Sequence, residues 1–280
     1  MHRLDFSDVR GNDRAVRALA ASAESRIGVV LTGPPGIGKT MIARRAPGLL
    51  GPLADREAAW LLAEYSALGL EQAYRRVPTR AQIGDDPHAS SDDFSRAQFS
   101  RPFRAPHHTV SALAMSGSIV KRHRIACPEA RDPAAGPPYR CSCEANGGKE
   151  PTFRAGECHL ARFGVLLLDD LIEFSRLTVE TIAGTLRAMA PSTRPWVIAT
   201  ATACPCGWRG AGDVGRVCSC TPAMLDRWTD RLSQSLRILE IGENIPVLPV
   251  TLADLRAATP GTSTEDLRAR IAARGLEAAS

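Results

Sequence analysis

Gly33-Pro34-Pro35-Gly36-Ile37-Gly38-Lys39-Thr40 follows the apolar run Ile27-Gly28-Val29-Val30-Leu31 and leads into Met41-Ile42-Ala43-Arg44-Arg45. Strand, Gly-x4-Gly-Lys-Thr loop and helix, in that order, read as a phosphate-binding P-loop. The glycines let the backbone wrap round phosphate oxygens with N–H groups pointing inward, and the helix N-terminus adds partial positive charge. In such a loop Lys39 reaches the terminal phosphates, and the Thr40 hydroxyl joins the coordination shell of a Mg²⁺ ion.

Downstream, Gly164-Val165-Leu166-Leu167-Leu168-Asp169-Asp170 is an apolar run that ends in carboxylates. It predicts a buried parallel strand delivering acids to its C-terminal edge, where ligands bind in open α/β sheets. Asp169 is placed to hold Mg²⁺ through water. Asp170, with Glu173 close behind, is placed to orient an attacking water. Trp196-Val197-Ile198-Ala199-Thr200-Ala201-Thr202 predicts a further buried strand.

Helices are expected over residues 13–25, with Asn12 as N-cap, over the P-loop helix to about Ala46, and over roughly 54–76, 178–189, 222–233 and 264–276. A strand is expected around 237–241. Alternating strands and helices predict an α/β fold, a parallel sheet flanked by helices. Residues 77–100 read as a polar loop. Residues 117–157 read as an irregular, cysteine-containing insertion.

With 280 residues and 44% hydrophobic content, the chain is long enough to bury a sizeable core. No apolar run approaches the ~20 residues that span a bilayer. The opening Met1-His2-Arg3-Leu4-Asp5 has no apolar signal region behind it, so a cytoplasmic protein without membrane contact is expected. The net charge of +5 is concentrated locally: residues 101–163 carry ten Lys and Arg against five Asp and Glu. That stretch includes Lys121-Arg122-His123-Arg124, and it makes residues 101–124 a candidate contact for nucleic-acid phosphates, or simply a solvated basic surface.

The eight cysteines are grouped as Cys141-Ser142-Cys143, Cys204-Pro205-Cys206 and Cys218-Ser219-Cys220, with Cys127 and Cys158 single. In a reducing compartment metal ligation is the natural reading. Cys204, Cys206, Cys218 and Cys220 suit tetrahedral Zn²⁺, the alternative being four reduced thiols in a loop. Cys127, Cys141, Cys143 and Cys158, with His159 or His123, offer a second candidate set. His107-His108 suggests a metal or phosphate site or a purely structural pair.

The chain resembles the AAA+ module of magnesium-chelatase-like ATPases, in particular the bacterial branch linked to competence and DNA branch migration. The matching residues are Gly33 to Arg45, Arg101-Pro102-Phe103-Arg104-Ala105-Pro106-His107-His108-Thr109, Gly164 to Phe174, and Cys204-Pro205-Cys206-Gly207 with Cys218-x-Cys220. The resemblance implies an AAA+-type domain over residues 1–260. Residues 117–157 would be its insertion, 203–221 the loop of paired cysteines, and 261–280 a partial, truncated lid helix. It also implies ATP and Mg²⁺ as ligands, a homo-oligomeric ring, and an arginine from a neighbouring subunit, matched here by Arg237.

This chain departs from the family pattern at several positions. Asp170 stands where relatives carry Glu, and Thr202 where they carry a sensor Asn. Only Ala190 to Pro195 replace a pore hairpin. The expected activity is Mg²⁺-dependent ATP hydrolysis with DNA-related remodelling. The alternative is a nucleotide-gated module that binds zinc and a nucleic acid or protein without turnover.

Overall fold

The computed structural model describes residues 4–67, 70, 101–123, 149–212, 217–257 and 259–279. Its centre is a five-stranded parallel sheet in the order β2-β5-β6-β1-β7. The strands are β1 (Gly28–Thr32), β2 (Phe103–Arg104), β5 (Val165–Leu168), β6 (Trp196–Ala201) and β7 (Ile241–Pro246). Between β2 and β5 in sequence, β3 (Gly117–His123) and β4 (Lys149–Ala155) form a separate antiparallel pair. The helices are α1 (Asp13–Ser25), α2 (Lys39–Ala43), α3 (Asp55–Ala67), α4 (Ala112–Ser116), α5 (Glu157–Leu160), α6 (Arg176–Ala188), α7 (Pro222–Ile238), α8 (Leu252–Ala257) and α9 (Thr264–Ala279).

Side chains alternate across a strand, so a sheet covered on both faces needs apolar residues at every position. The central strands obey this. Val29, Leu31, Val165, Leu167, Trp196 and Ile198 enter the core beneath α1, α2 and α9. Val30, Leu166, Leu168, Val197 and Ala199 enter the opposite core, with Val179, Ile182 and Leu186 of α6. Burying a side chain such as Leu167 contributes about 1.5–3 kcal/mol. The buried polar side chains of β6 have partners: the Trp196 indole donates to the Ile27 carbonyl at 2.9 Å, and Thr200 is hydrogen-bonded at the sheet edge.

Several expectations are corrected. The insertion at 117–157 is not irregular at its ends: Gly117–His123 pairs with Lys149–Ala155, Ile119 opposite Phe153. A ladder whose partner lies some thirty residues away leaves no local signal. The helix after the paired cysteines runs to Ile238 instead of about 233, because Leu232 and Leu236 continue its apolar face. Glu240, at φ 57°, then turns the chain into β7. The predicted strand at 237–241 is thereby displaced, and Arg237 lies in the last turn of a helix. The P-loop helix ends at Ala43 and is followed by a 3-10 turn, Ala46–Gly48. Of the helix expected over 54–76, Asp55–Ala67 is described, and residues 68, 69 and 71–76 lie outside the described residues. The expected loop 77–100, Cys127, Cys141, Cys143 and Arg124 lie outside the described residues. Cys158 is buried in α5.

Asn12 stands at the N-cap of α1 but makes no cap hydrogen bond. Its amide instead donates to the Leu248 carbonyl at 3.1 Å and accepts the Leu248 N–H at 2.9 Å, fixing the chain as it leaves β7. At the other end Ser263 caps α9: its hydroxyl accepts the Asp266 N–H at 3.1 Å. Thr264 accepts the Phe6 N–H at 3.1 Å. Asp5 joins both termini of the described chain, accepting from the Ser7 N–H at 2.9 Å and from the Thr264 N–H.

Burial acts to raise the Asp5 carboxyl, but the hydrogen bonds from Ser7 and Thr264 outweigh it and hold the group down at about 2. A depressed carboxylate stabilises the fold above its unfolded value near 4 and loses that contribution as pH falls through its folded value. The stability gap between the native chain and Asp5→Asn is therefore expected to be constant above about pH 4 and to close toward pH 2. Urea melts across that range check it; a gap independent of pH would rule out the linkage.

Candidate nucleotide site and cysteine cluster

Parallel strands put their C-terminal ends at one edge, and their register decides which residues meet there. Thr32 of β1 pairs with Ala201 of β6, and Leu168 of β5 pairs with Ala199. The next residue on each strand is therefore the one that reaches the edge: Gly33, Thr202 and Asp169. The Gly33 N–H donates to the Ala201 carbonyl at 3.2 Å, anchoring the start of the P-loop on β6. Gly33 has φ 155°, and a Cβ there would collide with the Val247 carbonyl oxygen, so only glycine fits. Gly36 and Gly38 also have positive φ.

Lys39 is 7% exposed, and its ammonium donates to the Gly33 and Pro34 carbonyls at 2.9 and 2.7 Å. Burial pulls its pKa down; Asp170 and Asp169 oppose this. The Thr40 hydroxyl lies 2.9 and 3.1 Å from the two carboxylate oxygens of Asp169. Two residues 129 positions apart, both expected to serve Mg²⁺, thus meet in one hydrogen-bonded pair.

Asp169 holds a second hydroxyl, that of Thr200, which donates to Oδ1 at 2.6 Å. The same Thr200 oxygen accepts the Asp170 N–H at 2.9 Å. Thr200 is fully buried on β6 and clamps both carboxylate-bearing residues. Sequence reading passed over it in favour of Thr202. Its place is set by register, which the sequence alone does not carry: the strand neighbour of the residue after Leu168 is the residue after Ala199.

Asp170 sits at φ 54°, ψ 60°, a left-handed conformation that Asp tolerates better than most residues. Burial raises its pKa, the Asp169 and Glu173 charges raise it further, and Lys39 and His108 work against them. Glu173 is exposed, one 3-10 turn away, with its N–H on the Asp170 carbonyl at 2.8 Å. His108 stacks between His107 and Phe174, at ring separations of 4.0 and 6.4 Å.

The other expected site residues are placed differently. The Thr202 hydroxyl donates to the Cys204 carbonyl at 3.0 Å, and the Thr202 carbonyl accepts the Trp228 indole at 2.9 Å. Arg237 is exposed on α7. In the Arg101-Pro-Phe-Arg104 stretch the charges are engaged internally. Arg101 donates to the carbonyls of Gly51, Pro52 and Phe163 at 2.6, 3.0 and 2.6 Å. Arg104 forms a bidentate pair with Glu157 at 2.6 and 2.7 Å. These two arginines are part of the fold and do not offer free guanidiniums to phosphates.

Cys204, Cys206, Cys218 and Cys220 bring their sulfurs within 4.8 Å of one another. The closest separations are 3.3, 3.5 and 3.7 Å. Four thiolates at about 2.3 Å from a tetrahedral zinc would stand about 3.8 Å apart, so shifts of about an ångström or less would let the cluster close on a single ion. The Trp208 N–H brings the Cys206 thiol down to about 6, whereas burial pushes Cys204 up. Cys220, despite a hydrogen bond from the Cys206 backbone, is pushed up to about 12 by desolvation and the neighbouring thiols, so Cys206 is the first of these three to become a thiolate.

A parallel sheet carrying Gly33 to Thr40 on one strand end and Asp169 on another is that of a P-loop NTPase of the AAA+ kind. The chain belongs to the magnesium chelatase subunit ChlI family, whose description matches residues 5–95 and 128–241. The family implies ATP and Mg²⁺. The chain is 29% identical to the uncharacterized protein YifB of Escherichia coli over 96% of its own length and 44% of that protein's. Rv2897c of Mycobacterium tuberculosis matches to the same extent. Competence protein ComM of Haemophilus influenzae is 30% identical over 64% of the chain and 25% of ComM. The chain thus spans less than half the length of these relatives. Among solved structures, NtrX from Brucella abortus aligns with a TM-score of 0.41 at 14% identity, covering 90% of this chain and 40% of that one. No helix among the described residues is long and apolar enough to cross a membrane.

Thr200→Val keeps the shape of the side chain but removes the partner of the Asp170 N–H and frees one side of Asp169. Losing those bonds costs about 1–3 kcal/mol. We expect Mg²⁺-dependent nucleotide affinity to fall about tenfold, read by titrating a fluorescent ATP analogue at several Mg²⁺ concentrations. An unchanged Mg²⁺ dependence would remove Thr200 from the site.

Proposed function

We propose that the chain binds Mg²⁺–ATP at the Gly33–Thr40 loop and hydrolyses it slowly, as one cytoplasmic subunit of a homo-oligomeric ring. The observation that carries this is the Thr40–Asp169 pair, which sets both expected Mg²⁺ ligands side by side next to Lys39. The backbone from Gly33 through Pro34, Pro35, Gly36, Ile37 and Gly38 would cradle the phosphates, and Lys39 would exchange its carbonyl partners for phosphate oxygens. Mg²⁺ would neutralise the charge that spreads over the transferring phosphoryl group.

Asp170 is the residue placed to accept a hydrogen bond from the attacking water, and its raised pKa makes it a stronger base than a free carboxylate. Glu173 adds negative charge beside it. Thr202 would act as a sensor only by releasing the Cys204 carbonyl. Exposed Arg237 is available to a neighbouring subunit's site. With Arg101 and Arg104 committed to the fold, nucleic-acid contact would fall to the β3–β4 hairpin and the Lys121-Arg122-His123-Arg124 run. The likeness to a competence protein supports a DNA-related role for the work done.

A second reading has an observation of its own. Asp170 is one methylene shorter than the glutamate expected by resemblance, and its backbone is left-handed. It favours a nucleotide-gated binding module without turnover. Single-turnover assays separate the two. We expect slow hydrolysis by the native chain, loss of nucleotide binding in Lys39→Ala, and binding without hydrolysis in Asp170→Asn. Binding without hydrolysis in the native chain, together with hydrolysis by Asp170→Glu, would establish the second reading.

We further propose that Cys204, Cys206, Cys218 and Cys220 hold one structural Zn²⁺. Metal analysis after reducing purification should give one equivalent per chain, lost in the Cys206→Ser, Cys218→Ser double variant. A metal-free native protein would refute it.

A further inference from the structure

The four-cysteine loop is built against the outer wall of the P-loop. After Ala201, whose carbonyl holds the Gly33 N–H, the chain passes Thr202 and turns at Cys204. The Thr202 hydroxyl donates to the Cys204 carbonyl, and the Cys204 carbonyl also accepts the Gly207 N–H at 3.0 Å. That turn lays Gly207, at φ 82°, on Pro35: a Cβ on Gly207 would stand 3.0 Å from Pro35 Cδ and 3.7 Å from Thr202 Cγ2. Here glycine is needed both for the backbone angle and for the closeness of the two loops.

Behind the turn, Cys204 and Ala211 are buried. The second pair of cysteines immediately precedes Thr221, the N-cap of α7, and Trp228 of α7 returns to the Thr202 carbonyl at 2.9 Å. Both segments that carry thiols are therefore hooked to Thr202, and the first rests on Pro35.

We propose that a metal ion held by the four thiolates braces Pro35 through Gly207, so that metal occupancy and nucleotide affinity are linked. The proposal rests on the reading that the cluster binds a metal. Four sulfurs drawn to one ion fix the turn at Cys204–Gly207 and leave the P-loop nowhere to retreat on that side. Without the ion, the described residues hold the turn by thiol contacts, single hydrogen bonds and the burial of Cys204 and Ala211. Linkage is reciprocal: whatever factor the metal adds to nucleotide binding, nucleotide adds to metal binding.

The experiment uses the full chain, first assayed for metal content, then titrated with Mg²⁺–ATPγS in the metal-loaded state and after stripping with a chelator under reducing conditions. The expected result is nucleotide binding about fivefold to tenfold weaker in the stripped protein, restored by Zn²⁺. In Pro35→Ala the contacted ring is gone, and the ratio of stripped to loaded Kd is expected to fall toward one, whatever its effect on the absolute affinity.

If the native chain takes up no metal, the metal reading fails and the linkage with it. If metal binds at one equivalent and both states bind nucleotide equally, only the linkage is overturned. Should the stripped chain unfold, competition for Zn²⁺ with a chromophoric chelator is run on loaded protein with and without Mg²⁺–ATPγS. Tighter retention with nucleotide supports the proposal, and equal retention overturns it.

Discussion

One carboxylate holds the nucleotide edge together. Asp169 accepts from Thr40 at the start of α2 and from Thr200 on β6, so the P-loop helix, β5 and β6 are joined at a single side chain. That junction exists because the strands are parallel and in a fixed register, with Leu168 beside Ala199 and Thr32 beside Ala201. A shift of one residue in β6 would turn Thr200 away from Asp169 and bring an alanine to the edge. The buried apolar residues of the strands, which oppose such a shift, are thus as much a part of the site as the polar residues at their ends.

The same economy explains the basic stretch. Charge counting marks residues 101–163 as a surface for an acidic partner, yet Arg101 and Arg104 are turned inward. Arg101 satisfies three carbonyls, two just before α3 and one just before β5, and Arg104 pairs with Glu157 at the start of α5. An arginine with two or more planar, short contacts costs the fold heavily to remove and offers little to a phosphate. Local net charge and available charge are different quantities, and only the second bears on binding.

What could be read from the sequence follows from how far each signal reaches along the chain. The P-loop, the Leu168–Asp169 strand end and the paired cysteines are written in consecutive residues, and the structure brings Lys39, Thr40 and Asp169 together as their types require. Thr200 was invisible because its importance comes from the strand beside it. The β3–β4 hairpin was invisible for the same reason, its two strands being separated by residues 124–148. Arg237 stands in a helix and not in a strand because Leu232 and Leu236 carry the amphipathic period on to Ile238 before Glu240 breaks it.

The cysteine loop and the P-loop meet at Pro35 and Gly207, and this contact changes what the cluster is for. A zinc knuckle at the far end of a domain would stabilise a loop and nothing more. Here its first turn leans on the phosphate cradle, hydrogen-bonds the residue at the expected sensor position, and leads into the helix that carries Arg237. A Thr202 hydroxyl committed to the Cys204 carbonyl is not free to report on a phosphate. Any change that frees it must move the turn on which Gly207 rests. Any sensing by Thr202 and any bracing by the cysteine turn would draw on the same few atoms, so a metal held by the four cysteines would bear on both.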